Sequence, residues 1–155
     1  MRTLLIVLAI ILILAVVLVV VGRIFSGRVA KPADVGTGTL APCPESPNCV
    51  STLASDDLHQ IEPIRLEQPS AGAIQALATI MGKMPKSKIV TQTDNYLHVE
   101  LRSSFWNFID DVEFLVDEEA GQIHSRSAAR TGYSDLGVNK NRYHQISEEF
   151  SRFSP

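Results

Sequence analysis

The sequence predicts an α+β domain: a two-layer sandwich with an antiparallel sheet and two helices on one face, preceded by an N-terminal transmembrane helix. Three observations predict it. An uninterrupted apolar run opens the chain, four consecutive stretches of strand character follow one another without a helix between them, and two amphipathic helical patterns flank those strands. Strands joined by short turns become antiparallel neighbours. Two amphipathic helices then need one apolar sheet face to cover.

The apolar run is Leu4–Val21, 18 residues of Leu, Ile, Val and Ala without a charge. At about 1.5 Å per residue it spans about 27 Å, close to the ~30 Å hydrocarbon core of a bilayer. It has no polar face, so packing it on a soluble core would need apolar neighbours on every side. The competing reading is a cleaved signal peptide. Against that, the run exceeds the usual apolar core of about 7–15 residues, and no Ala-x-Ala-like site follows it. Leu40-Ala41-Pro42-Cys43 has a faint likeness to a lipoprotein cleavage box, but it lies far from the run and Pro42 stands where a small residue belongs. Residues 1–28 therefore read as an anchor whose partner is the membrane, through Leu4–Val21. Orientation is contested by two signals. Arg23, Arg28 and Lys31 favour a cytoplasmic domain by the positive-inside rule, whereas the cysteines discussed below favour the extracytoplasmic, periplasmic side.

All 17 acidic residues follow position 33, while four of the 14 basic ones precede it. The remainder of the chain thus carries ten basic against 17 acidic side chains, a net charge of −7. Such a balance argues against a nucleic-acid partner, because that affinity rests on Lys and Arg neutralising phosphates. Residues 29–41, with Pro32, Gly36 and Gly38, read as a flexible tether. Residues 42–155 are then one α+β domain.

Within that domain Pro42–Val50 reads as a rigid loop, its three prolines each fixing φ. His59–Glu67 is a short strand candidate interrupted by Pro63. Ala73, Ile74, Leu77, Ala78 and Met81 share a helical face, with Ser70 as N-cap and Gly82 near the end. Lys88–Thr93 is β-branched. Tyr96–Arg102 sets Leu97, Val99 and Leu101 against His98, Glu100 and Arg102; Asp111–Asp117 sets Val112, Phe114 and Val116 against Glu113 and Leu115. Gln122–Arg130 places His124, Arg126 and Arg130 opposite Ile123, Ser125 and Ser127. Asp94-Asn95 supplies a tight hairpin and Asp117–Gly121 a longer one. Asn139–Phe153 aligns Tyr143, Ile146, Phe150 and Phe153 in one stripe of a C-terminal helix. The charged residues of the strands would occupy the open sheet face.

Three ordered strings carry a resemblance. Cys43-Pro-Glu-Ser-Pro-Asn-Cys-Val-Ser51, Phe108-Ile-Asp-Asp-Val-Glu-Phe-Leu115, and Arg126-Ser-Ala-Ala-Arg-Thr-Gly-Tyr-Ser-Asp-Leu-Gly-Val-Asn139 with Arg142 resemble domain-of-unknown-function family 1499, from about Pro42 to Phe150. The resemblance implies a small domain, often with a membrane or export segment. It brings no catalytic residues, so function must be read from the side chains.

Cys43 and Cys49 enclose five residues, two of them proline. In an oxidising compartment they can close a disulfide. The alternatives are reduced structural thiols, a redox pair, which would prefer Cys-x-x-Cys, or a zinc site, which would need two more ligands: His59 could be one, but no fourth has obvious spacing. The stretch Arg130–Arg142 offers Gly132, Asp135, Asn139 and two arginines ahead of a helix N-terminus. With Arg126 it makes a candidate site for a small anionic ligand, because free N–H groups and guanidinium groups attract anions. The alternative is a capped connection whose arginines pair with acids of the domain, Arg130 with Asp135 among them. Gly132 and Gly137 have phosphate-loop spacing, but Val138-Asn139 replaces the required Lys-Ser/Thr. Asp111, Glu113, His98 and Glu100 can do acid–base work or bind a divalent ion, or they are cross-strand ion pairs on a solvated face.

The expectation from sequence is an uncharacterised membrane-anchored envelope domain, a non-enzymatic accessory or anionic-ligand-binding module. It would have no catalytic residues, metal or cofactor. The rival is a small hydrolase acting on an anionic substrate through Arg126, Arg130, Asp111, Glu113 and Asp135; metal handling by the histidines and carboxylates is a third reading. No nucleophile elbow, zinc-protease motif or dinucleotide fingerprint is present in the sequence.

Overall fold

A sheet needs its strands to agree on which side chains face the core, and the alternation in this chain enforces that agreement over four strands. The computed structural model describes residues 2–25, 39–66 and 71–153. In chain order the elements are α1 (Arg2–Phe25), β1 (Cys49–Ser51), β2 (Ile64–Arg65), α2 (Ala73–Lys83), β3 (Ser87–Gln92), β4 (Tyr96–Arg102), β5 (Ile109–Asp117), β6 (Gln122–Ala129) and α3 (Val138–Phe153). The six strands form one antiparallel sheet in the order β1-β6-β5-β4-β3, with β2 also paired to β6.

α1 is a continuous helix, long and apolar enough to cross a membrane, with a mean hydropathy of 3.9 over Arg2–Val21 and none of that window buried. In the domain, Leu97, Val99, Val112, Phe114, Val116 and Ile123 point to one side of the sheet, because register places Leu97 opposite Phe114 and Val99 opposite Val112. α2 covers that side with Ile74, Leu77, Ile80 and Met81, and α3 with Tyr143, Ile146 and Phe150. Each such side chain, fully buried, contributes roughly 1.5–3 kcal/mol before entropy is set against it.

Several sequence expectations shift. β1 arises inside the stretch read as a loop: Val50 is buried in the core while Cys49, Val50 and Ser51 pair with Ala128, Ser127 and Arg126. The His59–Glu67 candidate shrinks to the two-residue β2, since Pro63 has no N–H to offer a ladder. Gly72, at φ 93, is the residue before α2, and its carbonyl accepts from Ala76 N–H; the proposed cap Ser70 lies outside the described residues. Gly82 stands near the end of α2, as expected, one residue before Lys83. Phe153 belongs to the predicted stripe yet is half-exposed, with the Lys83 ammonium 4.9 Å from its ring centre. Leu40, near the end of the stretch read as tether, is buried.

Candidate functional site

The sheet face turned away from the helices collects Tyr96, His98 and Glu100 from β4, Asp111 and Glu113 from β5, and Arg126 from β6. Cross-strand register makes rows of them: His98 beside Glu113 beside Arg126, and Glu100 beside Asp111 beside Ala128. The sequence predicted a solvated face. The structure corrects this, because Tyr96, His98, Asp111, Glu113 and Arg126 are all buried. Residues 39–43 run beside Ser51 and Leu53, and Thr39, Leu53, Leu115 and His124 border one cavity at the edge of this face. Thr52 hydrogen-bonds His124 Nδ1 at 3.1 Å and its N–H donates to the Ser125 carbonyl, which ties the segment after β1 to β6.

A buried charge must be paired and hydrogen-bonded, and two networks pair the carboxylates of this face, although the buried Arg126 Nε finds no partner. In the first, Glu113 accepts from the Tyr96 hydroxyl at 2.7 Å and from Arg126 Nη1 at 3.0 Å. In the second, Asp111 accepts from Arg130 Nε at 2.6 Å and Arg130 Nη2 at 2.7 Å, a bidentate clamp, while its Oδ1 also meets His98 Nε2 at 2.7 Å. Arg130 Nη2 reaches Glu100 as well, at 2.7 Å, and Arg102 lies 3.4 Å from the other Glu100 oxygen. Ala128, opposite Asp111, is too short to pair with it, which leaves room for Arg130 beyond the strand end to reach back.

These contacts set the protonation states. Burial works to raise the Asp111 carboxyl, but the hydrogen bonds from His98 and Arg130 and their charges outweigh it and hold Asp111 below its ordinary range. Arg130 is raised above its ordinary value, chiefly by its hydrogen bonds to Asp111. Burial and the neighbouring Glu113 carboxylate raise the Tyr96 phenol. A general base works best with a pKa near the operating pH. Asp111 is driven away from that condition.

The predicted anion-binding residues fall into two groups. Arg126 and Arg130 serve the outer face. Asp135, Asn139 and Arg142 lie on the helix side of the sheet, where Arg142 Nη2 donates to Asp110 at 2.7 Å and Nη1 to Asn139 Oδ1 at 2.7 Å. Burial raises the Asp110 carboxyl despite Arg142 beside it. Asp135 caps α3: its two oxygens accept from Asn139 N–H at 2.7 Å and Gly137 N–H at 3.0 Å. The acid expected to pair with Arg130 is therefore the helix cap, and Arg130 pairs instead with Asp111 and Glu100. Gly132, at φ 90, offers its carbonyl to Asn48 Nδ2 at 2.6 Å.

Sequence reasoning missed Tyr96 and Asn48. Tyr96 was legible in principle, two residues before His98 on the same strand face. Asn48 had no signal: it is buried among Ser46, Gly132 and Asn139, joining β1, the loop after β6 and the start of α3. The cysteine expectation is met by a Cys43–Cys49 disulfide with a Cα–Cα distance of 5.7 Å. His59, considered as a zinc ligand, meets Asp56 at 2.7 Å and the Ser46 carbonyl at 3.2 Å; no metal-binding cluster of three or more His, Cys, Asp or Glu occurs among the described residues.

No curated protein and no solved structure matches this chain. A family model described as protein of unknown function (DUF1499) matches residues 39–150. That span runs from the first described residue of the domain to Phe150, the last buried side chain of α3. Covering well over half of the chain, it shows that the chain belongs to the DUF1499 family.

Proposed function

We propose that this protein is a single-pass, membrane-anchored accessory domain of a bacterial-type envelope, non-enzymatic, with its α+β domain on the extracytoplasmic side. The observation that supports the non-enzymatic reading is the internal pairing of the outer face. Glu113, Asp111 and Glu100 each accept from an arginine of the same domain, and Asp111 is held as a carboxylate. The Cys43–Cys49 disulfide supports the extracytoplasmic side, since such bonds persist where the surroundings are oxidising. That chemical requirement outweighs the three basic residues after the apolar run. α1, of membrane-spanning length, is the anchor in this reading.

A small anionic ligand is the second reading. One observation favours it: the Arg130 side chain retains 20% exposure while Asp111, its partner, has 1%. The test is the melting temperature of the full chain in nanodiscs, with millimolar phosphate against a chloride control of equal ionic strength. The accessory reading expects no rise with phosphate, and Arg130→Ala lowering the melting temperature equally in both buffers. A rise with phosphate that Arg130→Ala abolishes would replace it with an anion-binding module. Turnover of phosphate or carboxylate esters that Arg130→Ala removes would replace it with the hydrolase.

A further inference from the structure

The three most exposed large apolar side chains among the described residues are Leu136, Phe105 and Tyr133, at 91, 82 and 77%. All three stand at one end of the sheet. Phe105 belongs to the β4–β5 loop, and Tyr133 and Leu136 belong to the loop after β6. The loops are neighbours, because Arg130 N–H donates to the Ile109 carbonyl where β5 begins. Trp106 joins the group, its ring 4.8 Å from Phe105 and stacked at 6.4 Å on Phe108. A soluble surface seldom gathers its largest apolar groups at one place unless something covers them.

The display is built. Ser103 closes the first loop twice, its N–H donating to the Phe108 carbonyl and its hydroxyl accepting from Phe108 N–H. Lys86 Nζ donates to the Ser104 carbonyl at 2.9 Å. In the second loop Leu136 N–H donates to the Ser134 hydroxyl, and Asp135 holds Gly137 and the start of α3. Among the described residues the three non-glycine positions with positive φ, Lys86, Asn107 and Leu136, all lie at this end. Such backbone is costly and gathers where the surroundings over-determine it, often at functional sites.

Charge is sorted along the same axis. Exposed Lys86 and Lys140 flank the apolar loops, where Arg102 is paired with Glu100 and Asp135 is taken up by the start of α3, whereas Asp94 and the Asp117-Glu118-Glu119 turn occupy the opposite end of the strands. We infer that this aromatic, basic end docks on a bilayer leaflet containing anionic phospholipid, the membrane that α1 spans. The inference rests on the anchored reading of α1. Aromatic rings favour the headgroup level, and lysine and arginine favour anionic headgroups. Thirteen residues separate Phe25 from Thr39, a reach of at most about 45–50 Å. Thr39 borders the acidic end, and the nine residues of β5 span about 30 Å, so the tether is long enough for the far end to meet the bilayer. An anchored domain also meets the surface at high effective concentration, which lets a small apolar patch suffice and favours lipid over a partner that must diffuse to it.

Trp106 is the sole tryptophan in the chain and reports directly. The full chain would be reconstituted into vesicles of phosphatidylcholine and phosphatidylglycerol, and retention through a carbonate wash checked first. A chain that fails to be retained overturns the anchored reading, and docking with it. In retained chain, Trp106 emission should shift to the blue, resist acrylamide and be quenched by lipids brominated on their acyl chains. Leu136→Ser with Phe105→Ser should lose that quenching, and Lys86→Glu with Lys140→Glu should weaken it, with unchanged circular dichroism. Retained chain whose Trp106 stays open to acrylamide and blind to brominated lipid overturns docking and leaves the anchor standing. Protection that ignores brominated lipid and rises with protein density assigns the patch to a second copy, and equally overturns it.

Discussion

Asp111, itself buried, accepts hydrogen bonds from a bidentate arginine and meets a histidine at 2.7 Å. Removing one member of such a set costs more than the set contributes, because the others keep a buried polarity without a partner. Asp111→Asn should lower unfolding free energy by about 3 kcal/mol at neutral pH. The sign of the pH effect follows from its lowered pKa. A depressed carboxyl stabilises the fold above its unfolded value, near 3.9, and loses that contribution as pH falls through the folded value. Denaturant midpoints of the native chain and Asp111→Asn should therefore differ widely at pH 7 and converge towards pH 2. A gap of constant size would remove Asp111 from the linkage. Alternation showed that His98, Glu100 and Glu113 share a face. It could not show that these side chains are buried, because Arg126 and Arg130 reach Glu113 and Asp111 only across the sheet, once β5 and β6 are in register.

At the scale of elements, the strands least legible in the sequence are the shortest. β1 has three residues and β2 two, too few for a period to appear, and both are held by β6. The disulfide compensates by closing the loop that leads into β1, so that less chain entropy is lost on folding. Replacing both cysteines by serine should lower stability by about 2 kcal/mol, the expected size for so short a loop, with an unchanged denaturant slope. Amide chemical shifts should move around Asn48, Gly132 and Asn139, which share hydrogen bonds next to Cys49. A stability equal to that of the native chain would mean the bridge adds nothing to the fold. The longer elements were legible, since β4, β5 and α3 each carry enough residues to declare a period of two or 3.6.

At the scale of the molecule, an apolar helix of membrane-spanning length precedes an acidic α+β domain. Uncleaved, that helix should hold the chain in the membrane fraction through a carbonate wash, with Met1 found by mass spectrometry of the intact protein. A soluble product beginning between Gly22 and Lys31 would identify it as a signal sequence instead. The polarity of the domain, apolar and basic at one end and acidic at the other, belongs to this scale too. No window of the sequence contains it, because Lys86, Phe105 and Leu136 come from three separate loops.

What the sequence determined by itself is whatever depends on neighbours a few residues apart. The apolar run, the antiparallel order of β3 to β6, the two helical stripes and the cysteine pair are all of that kind. Only the tertiary structure decided which charges meet. Asp110 and Asp111 are adjacent in the chain, yet the pleat sends them to opposite faces, one to Arg142 and the other to Arg130. Asp135, the acid nearest Arg130 in that loop, caps α3 instead. Ion pairing is set by distance and burial in space, and strand register fixes both only after the sheet has formed.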